Sequence, residues 1–503
     1  MNRREFLTSL GVGGVGAVVG GAFAPRAAEA SAWGEYPASA RALEVPPSQR
    51  AQSVLEVFLF GGLSPWETFY VVDEPEYGRA AGELWWTFQE GEENVSEVWG
   101  RCREDASVPM LRDFMRDELG VMVKFGPFVE PLRRRQDIVD RLRLHVLSHD
   151  LAPHMLAVPY GLTGHRLGSP RLAGMGTVAQ RYFQAHGADP SAPVSYLIRP
   201  LERNPLFGAA ADVGLHPAAA RPLALYTGGD RQFVDALNRR PLGAHEATSD
   251  ALLRHYVERF HRRLTPAGAS RAARSSSFDE YDYSARMLQS ARSLREAFPA
   301  EALALAPGEA CGEREPEAVS LTQLRLAARL IGRSGARHVT VADYGLIQPY
   351  DTGHDTHRHH VLVSFTNLTY FFNCVSAVIN RPGERAPDKI DLDRTLVVIN
   401  MEFGRTPGRQ AEIPTGRNHH PGGYVTLMFG GPIGPAQKGI VGSLGPNGLA
   451  RNGLSPADTR AGVLAALGIY PLDRDVFALG DFPGARTDGE ALERAKHRVL
   501  GLP

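Results

Sequence analysis

Leu396 to Gly423 reads LVVINMEFGRTPGRQAEIPTGRNHHPGG, and the fold class follows from how this stretch is parsed. Leu396, Val397, Val398 and Ile399 are apolar in succession, the pattern of a strand buried on both faces of a parallel sheet. Glu402 comes just past the strand end. Gly404 and Pro407 then break the chain into a loop that returns with Arg417, Asn418, His419 and His420. A second apolar run, Tyr424 to Phe429, follows at once. An open α/β sheet collects its chemistry at the carboxyl ends of its strands, and an acid with a returning histidine pair fits that place. The plainer alternative is a polar loop in which Glu402 pairs with Arg405.

Outward from this stretch the same design recurs. Val54 to Phe60 is an apolar strand that runs into Gly61-Gly62 and reaches the acid Glu67. Glu67 also suits the first turn of a helix opened by Ser64-Pro65. Leu142 to Leu147 is a strand that delivers Ser148-His149-Asp150, with a helix starting near Pro153 and closed by Gly164. Such a helix start offers unpaired N–H groups to an oxyanion. Ser148 and His149 stand where a catalytic group would stand, and Asp150 suits a helix cap. The strand His338 to Ala342 precedes the densest cluster, Tyr350 to His360, in which four of the 17 histidines fall together with Asp351 and Asp355. Asp355 and His357, two residues apart in an irregular loop, suit one divalent ion. Phe128 to Arg141 is expected as a helix with Arg133, Arg134 and Arg135 on its solvated side. Val361 to Ile379 is expected as a long helix. Ser455 to Asp458 is expected to cap a last helix that ends at Gly468.

The chain has 503 residues and a formal net charge of -1, enough for a large core and without the basic footprint of a nucleic-acid binder. Three cysteines with no CxxC exclude a disulfide scaffold and a cysteine-rich zinc site. Residues 31–52 read as a linker, 73–118 as an insertion, 199–320 as a helical cap and the last residues, from 491, as a tail, around one domain at 53–490. The N-terminus, Asn2 to Leu7 (NRREFL), resembles a twin-arginine export signal, with Ala28-Glu29-Ala30 for cleavage within residues 1–30. Its glycine-rich apolar run is too short for a spanning helix. The expected compartment is the periplasm or another extracytoplasmic space. The expected partners are the twin-arginine translocon during export and a small-molecule or glycan ester.

Six motifs together resemble a bacterial exported family of unknown function within the alkaline phosphatase and sulfatase superfamily. They are Glu402 to Pro407 (EFGRTP), Gly416 to His419 (GRNH), Asp355 to His357 (DTH), the Ser148 to Gly164 segment, Phe58 to Gly62 (FLFGG) and the helix from Ser455. The resemblance implies a three-layer α/β sandwich with a mixed, mainly parallel central sheet and helical insertions. It implies two divalent metal ions (Zn, Mg, Mn or Ca) and hydrolysis of phosphate or sulfate esters. Carried over residue by residue, the metal ligands would be Glu67, Asp355, His357, Glu402 and His419. Ser148 and His149 would be catalytic, and His354, Arg405 and Arg417 supporting. Two departures stand out: Pro65 replaces a histidine of the first loop, and no CxPSR nucleophile signature is present. They leave open an inactive member that serves as a binding or assembly protein.

Overall fold

Ser53–Leu59 (β1) is buried at all seven positions, which requires cover on both faces of the sheet it enters. In the computed structural model that sheet has eight strands among the described residues. The others are β2 (Arg143–Leu147), β3 (Ser195–Pro200), β4 (Leu223–Thr227), β5 (His338–Asp343), β6 (Thr395–Asn400), β7 (Tyr424–Gly430) and β8 (Gly439–Val441), in the order β8-β2-β7-β6-β1-β5-β3-β4. β7 runs antiparallel to both its neighbours, β2 and β6, and every other pairing is parallel. The protein is therefore α/β with a mixed, mostly parallel sheet, as the apolar strand runs imply. The structure describes residues 33–74, 76–79, 111–169, 173–188, 193–200, 222–227, 319–345 and 353–503, less positions 409, 411, 414 and 474, with isolated residues between 248 and 259. The expected export signal, most of the expected 73–118 insertion and 199–320 cap, and Tyr350 to Thr352 lie outside the described residues.

Two groups of helices cover the sheet. α1 (His154–Thr163), α2 (Met175–Ala185) and α5 (Pro456–Ala466) pack together, and α3 (Val319–Ser334) packs with α4 (His360–Ala377). Ser455 caps α5 by accepting from the Asp458 N–H, and the Asp458 side chain returns to the Ser455 N–H. Gly164 closes α1 at φ 74°, a conformation that a Cβ would strain. Among the described residues no helix is long and apolar enough to cross a membrane.

Glu56 points from the middle of β1 into the core, where Arg460 of α5 and the Asn400 amide (2.9 Å) satisfy it. A buried carboxylate needs such partners, because its desolvation is costly.

Three expectations about segments differ from what is observed. Phe128 to Arg141 forms short turns at Pro127–Val129, Glu130–Arg133 and Gln136–Val139 instead of one helix. Two of its three arginines, Arg133 and Arg135, do not face solvent. Arg133 is buried on Glu130, and Arg135 donates to the Ser376 carbonyl (2.7 Å) in the last turn of α4 and to the Asn380 carbonyl (2.9 Å) just past it. The last carbonyls of a helix lack intrahelical partners and lie at the negative end of its dipole, so a guanidinium there is favourable. The segment before β1 buries Tyr36, Val45 and Ala51, and the tail buries Leu492, Val499 and Leu500, so Trp33–Pro503 forms one compact unit.

Candidate metal centre

The carboxyl ends of β1, β2, β5 and β6 meet at one rim, and four donor side chains converge there. Asp355 follows β5 and His154 opens α1 after β2. His357 closes the Asp-Thr-His turn, and His419 returns on the loop between β6 and β7. Their donor atoms all lie within 4.8 Å of one another. His154 Nε2 is 3.2 Å from Asp355 Oδ2, while His357 Nε2 (3.1 Å) and His419 Nε2 (3.3 Å) reach Asp355 Oδ1. The two imidazole Nε2 atoms of His357 and His419 are 2.9 Å apart. A tetrahedral ion with nitrogen and oxygen ligands at about 2.0–2.1 Å places its donors about 3.3 Å from one another. The cluster therefore has the spacing of a coordination shell, and these residues could hold a divalent ion. Side-chain exposures of 23%, 14%, 33% and 16% for His154, Asp355, His357 and His419 leave the site open on one side.

The outer nitrogens bear on the tautomers. His154 Nδ1 bonds Glu402 Oε1 at 2.9 Å, and His419 Nδ1 donates to the Ala152 carbonyl at 2.8 Å. A proton on Nδ1 leaves the Nε2 lone pair facing the cluster, the form in which histidine ligates. His357 Nδ1 meets the Gln410 side-chain amide at 2.7 Å, and half a turn of that amide presents its oxygen instead. Phe60 and Phe403 pack on the His154 ring with centroids 4.6 and 5.0 Å away, and Phe403 also stacks on His419 at 4.2 Å.

Charge organises the same residues. Burial raises the cost of a charge on Asp355, yet the His154, His357 and His419 rings around it and the Arg405 guanidinium hold its carboxyl far below the usual range. Burial likewise opposes a charge on His154, but Asp355 and Glu402 outweigh it and push the ring up to about 9. His419 is lowered, burial outweighing its bond to Asp355. Arg405 is fully buried, and besides Asp355 it donates to the Gly61 and Arg417 carbonyls.

The other expected site residues take places around this cluster. Glu402 stands behind His154, with Oε1 accepting the Gly61 N–H at 2.7 Å. Its second oxygen is buried without a hydrogen-bond partner among the described residues. His149 is wedged between Tyr160 and Tyr424. Its Nδ1 accepts from the Leu151 N–H at 3.1 Å and its Nε2–H donates to the Glu402 carbonyl at 2.6 Å, so it supports the strand end from outside the cluster. Glu67 is fully buried, bound to Arg417 and Ser64, with His360 Nε2 at 3.5 Å. Burial opposes its ionisation, but Arg417 and His360 keep its carboxyl lowered. His354 bonds Asp343 Oδ1 at 2.9 Å in the layer beneath. Ser148 lines a separate cleft. Asp150 does not cap α1; it pairs at the surface with Arg166 at 2.5 Å, and Pro153 takes the cap position.

His154 completes the donor set although the motifs EFGRTP, GRNH and DTH do not include it. Its signal in the sequence is a histidine at the first position of a helix that follows a strand end, six residues past Ser148. Gln410 carries no comparable signal.

No curated protein and no solved structure matches the chain. A family model described as a protein of unknown function, DUF1501, matches residues 51–491. That span contains all eight strands of the sheet and all four donors of the cluster, and the chain belongs to this family.

Proposed function

We propose that the protein is an exported, divalent-metal-dependent hydrolase of phosphate or sulfate esters, a member of the alkaline phosphatase and sulfatase superfamily acting outside the cytoplasm. The observation that carries this reading is the convergence of His154, Asp355, His357 and His419 at strand carboxyl ends, with donor spacings suited to one ion. Three imidazoles and one carboxylate favour zinc over magnesium, manganese or calcium, which prefer oxygen-rich shells. A bound divalent ion would polarise an ester oxygen and acidify a water. Ser148 lies in another cleft and the Thr356 hydroxyl is engaged by His360, so water is the nucleophile of this reading. Asp355 and the histidines bind, Glu402 orients His154, and Phe60 and Phe403 limit solvent access to the rings. The motif at Arg3-Arg4 supports twin-arginine export.

The test is metal analysis of protein exported through its own signal, then removal of metal and reconstitution with Zn, Mn, Mg or Ca separately. One ion per chain is expected, with turnover of an aryl phosphate or aryl sulfate that His419→Ala abolishes. Absence of any bound ion, with stability unaffected by chelator, would sink the proposal. A second reading, an inactive binding or assembly protein, is favoured by Pro65 and by Glu67 being bound to Arg417 where a second ion would need it. Stoichiometric metal without turnover of either ester supports that reading.

A further inference from the structure

Ser148 belongs to a second cleft, and the side chains there are arranged for a ligand. The cleft has a volume of about 540 Å³ and is lined by Ser148, Glu118, Asn452, Asp458, Arg494 and Arg498 among others. It lies past the carboxyl end of β2, as the metal centre does, but shares none of the four donors. Asp458 is 2% exposed. Its Oδ2 is fixed by the Ser455 N–H (2.8 Å) and hydroxyl (2.7 Å), whereas Oδ1 is buried with no hydrogen-bond partner among the described residues. The nearest cation is Arg494 at 3.7 Å, beyond hydrogen-bond reach.

The two arginines come from a π-helical turn, Arg494–Val499, that follows the helix Asp488–Glu493. Such turns are frequent at functional sites, and this one sets both guanidinium groups on the cleft. Arg494 donates through Nη1 to the Pro483 carbonyl at 2.7 Å. Arg498 donates through Nη2 to the Asn452 carbonyl (2.8 Å) and Glu118 (3.1 Å). Their remaining guanidinium N–H groups and the Ser148 hydroxyl bond no described residue.

We infer that this cleft binds a small zwitterion of the amino-acid class. Two guanidinium groups and two carboxylates balance in charge, so an isolated anion or cation gains little net attraction. A molecule with both charges uses both. Its carboxylate takes the unused guanidinium donors and the Ser148 hydroxyl, since forked Arg–carboxylate bonds are strong and directional. Its ammonium supplies Asp458 Oδ1 with the proton and the positive charge that this oxygen lacks. The fixed carboxylate of Asp458 is already oriented, which lowers the ordering cost of binding.

Calorimetric titration of the full mature chain tests this, with glycine, L-alanine and L-glutamate as zwitterions. Acetate and sulfate stand for the oxyanion alone, ethylamine for the ammonium alone and glycerol for a neutral polyol. At least one amino acid is expected to saturate one site, with acetate and ethylamine at least tenfold weaker. Arg494→Gln and Arg498→Gln should each weaken it tenfold or more with thermal melting unchanged, while His419→Ala leaves it as it was. Sulfate binding as tightly as the best amino acid would make this a plain anion site and overturn the inference. Glycerol binding as tightly, or no probe saturating, overturns it as well.

Discussion

Glu402 gives the sharpest test of how the metal centre is built. Its Oε1 accepts from the Gly61 N–H (2.7 Å) and bonds His154 Nδ1 (2.9 Å), while His154 Nε2 faces Asp355 at 3.2 Å. Glu402 therefore acts one layer back, by holding the ring in its ligating tautomer. Outer partners of this kind are worth about 10- to 100-fold in metal affinity, or about 1.4–2.7 kcal/mol. Glu402→Gln keeps an acceptor for both bonds but loses the charge, so it should fall near the tenfold end. Glu402→Ala should fall near the hundredfold end. It leaves the buried Gly61 N–H unsatisfied, which costs a further 1–3 kcal/mol or so of stability. Zinc titration of metal-free protein against a competing chelator gives the affinities, and cobalt substitution reports tetrahedral geometry by its absorption. Wild-type affinity in Glu402→Gln would refute the orienting role. A loss in Glu402→Gln as large as in His154→Ala would make Glu402 a direct ligand, which the geometry does not indicate.

Asp355→Asn should abolish tight metal binding and also destabilise the fold by about 3 kcal/mol, because it strands the buried Arg405 charge; denaturant midpoints measured with and without metal separate the two effects. Arg460→Met should cost about 3–5 kcal/mol by stranding buried Glu56, and the double variant with Glu56→Gln should recover much of it in urea unfolding. Acid should unfold the protein through His145 and His338, which burial lowers to about 3 and about 4. Both rings are neutral in either state above about pH 6.5, so nothing is lost there. Below it the unfolded chain binds protons that the folded chain refuses, and each ring costs about 1.4 kcal/mol per pH unit until its folded value is reached. Between about pH 7 and pH 5 the pair should remove on the order of 4 kcal/mol; a urea midpoint that does not move over this range contradicts the assignment.

Much of the sheet was legible because burial on both faces leaves a local record. Leu396 to Ile399 and, apart from Glu56, Val54 to Phe60 are apolar runs, and both are central strands. The Asp-Thr-His turn and His419 were legible because polar residues of these types at strand ends have few other reasons to be there. What was not legible depends on partners far apart in the chain. Glu67 looks like a ligand by position, but Arg417, 350 residues on, occupies its carboxylate. Arg133 and Arg135 look like a solvated run until the carboxylate of Glu130 and the carbonyls of Ser376 and Asn380 are placed beside them. His154 has the same local sequence whether or not Asp355 faces it.

The reversed direction of β7 has a consequence for the order of assembly. Because β7 turns back against β6, Phe403 and His419, which stack at 4.2 Å, sit within a single connection and need only one short-range closure to meet. Asp355 and His154 arrive through parallel crossovers, whose larger loops close more slowly. The metal shell is thus completed by its most distant parts, and tight ion binding should appear late in refolding, as a report that the long-range register is correct.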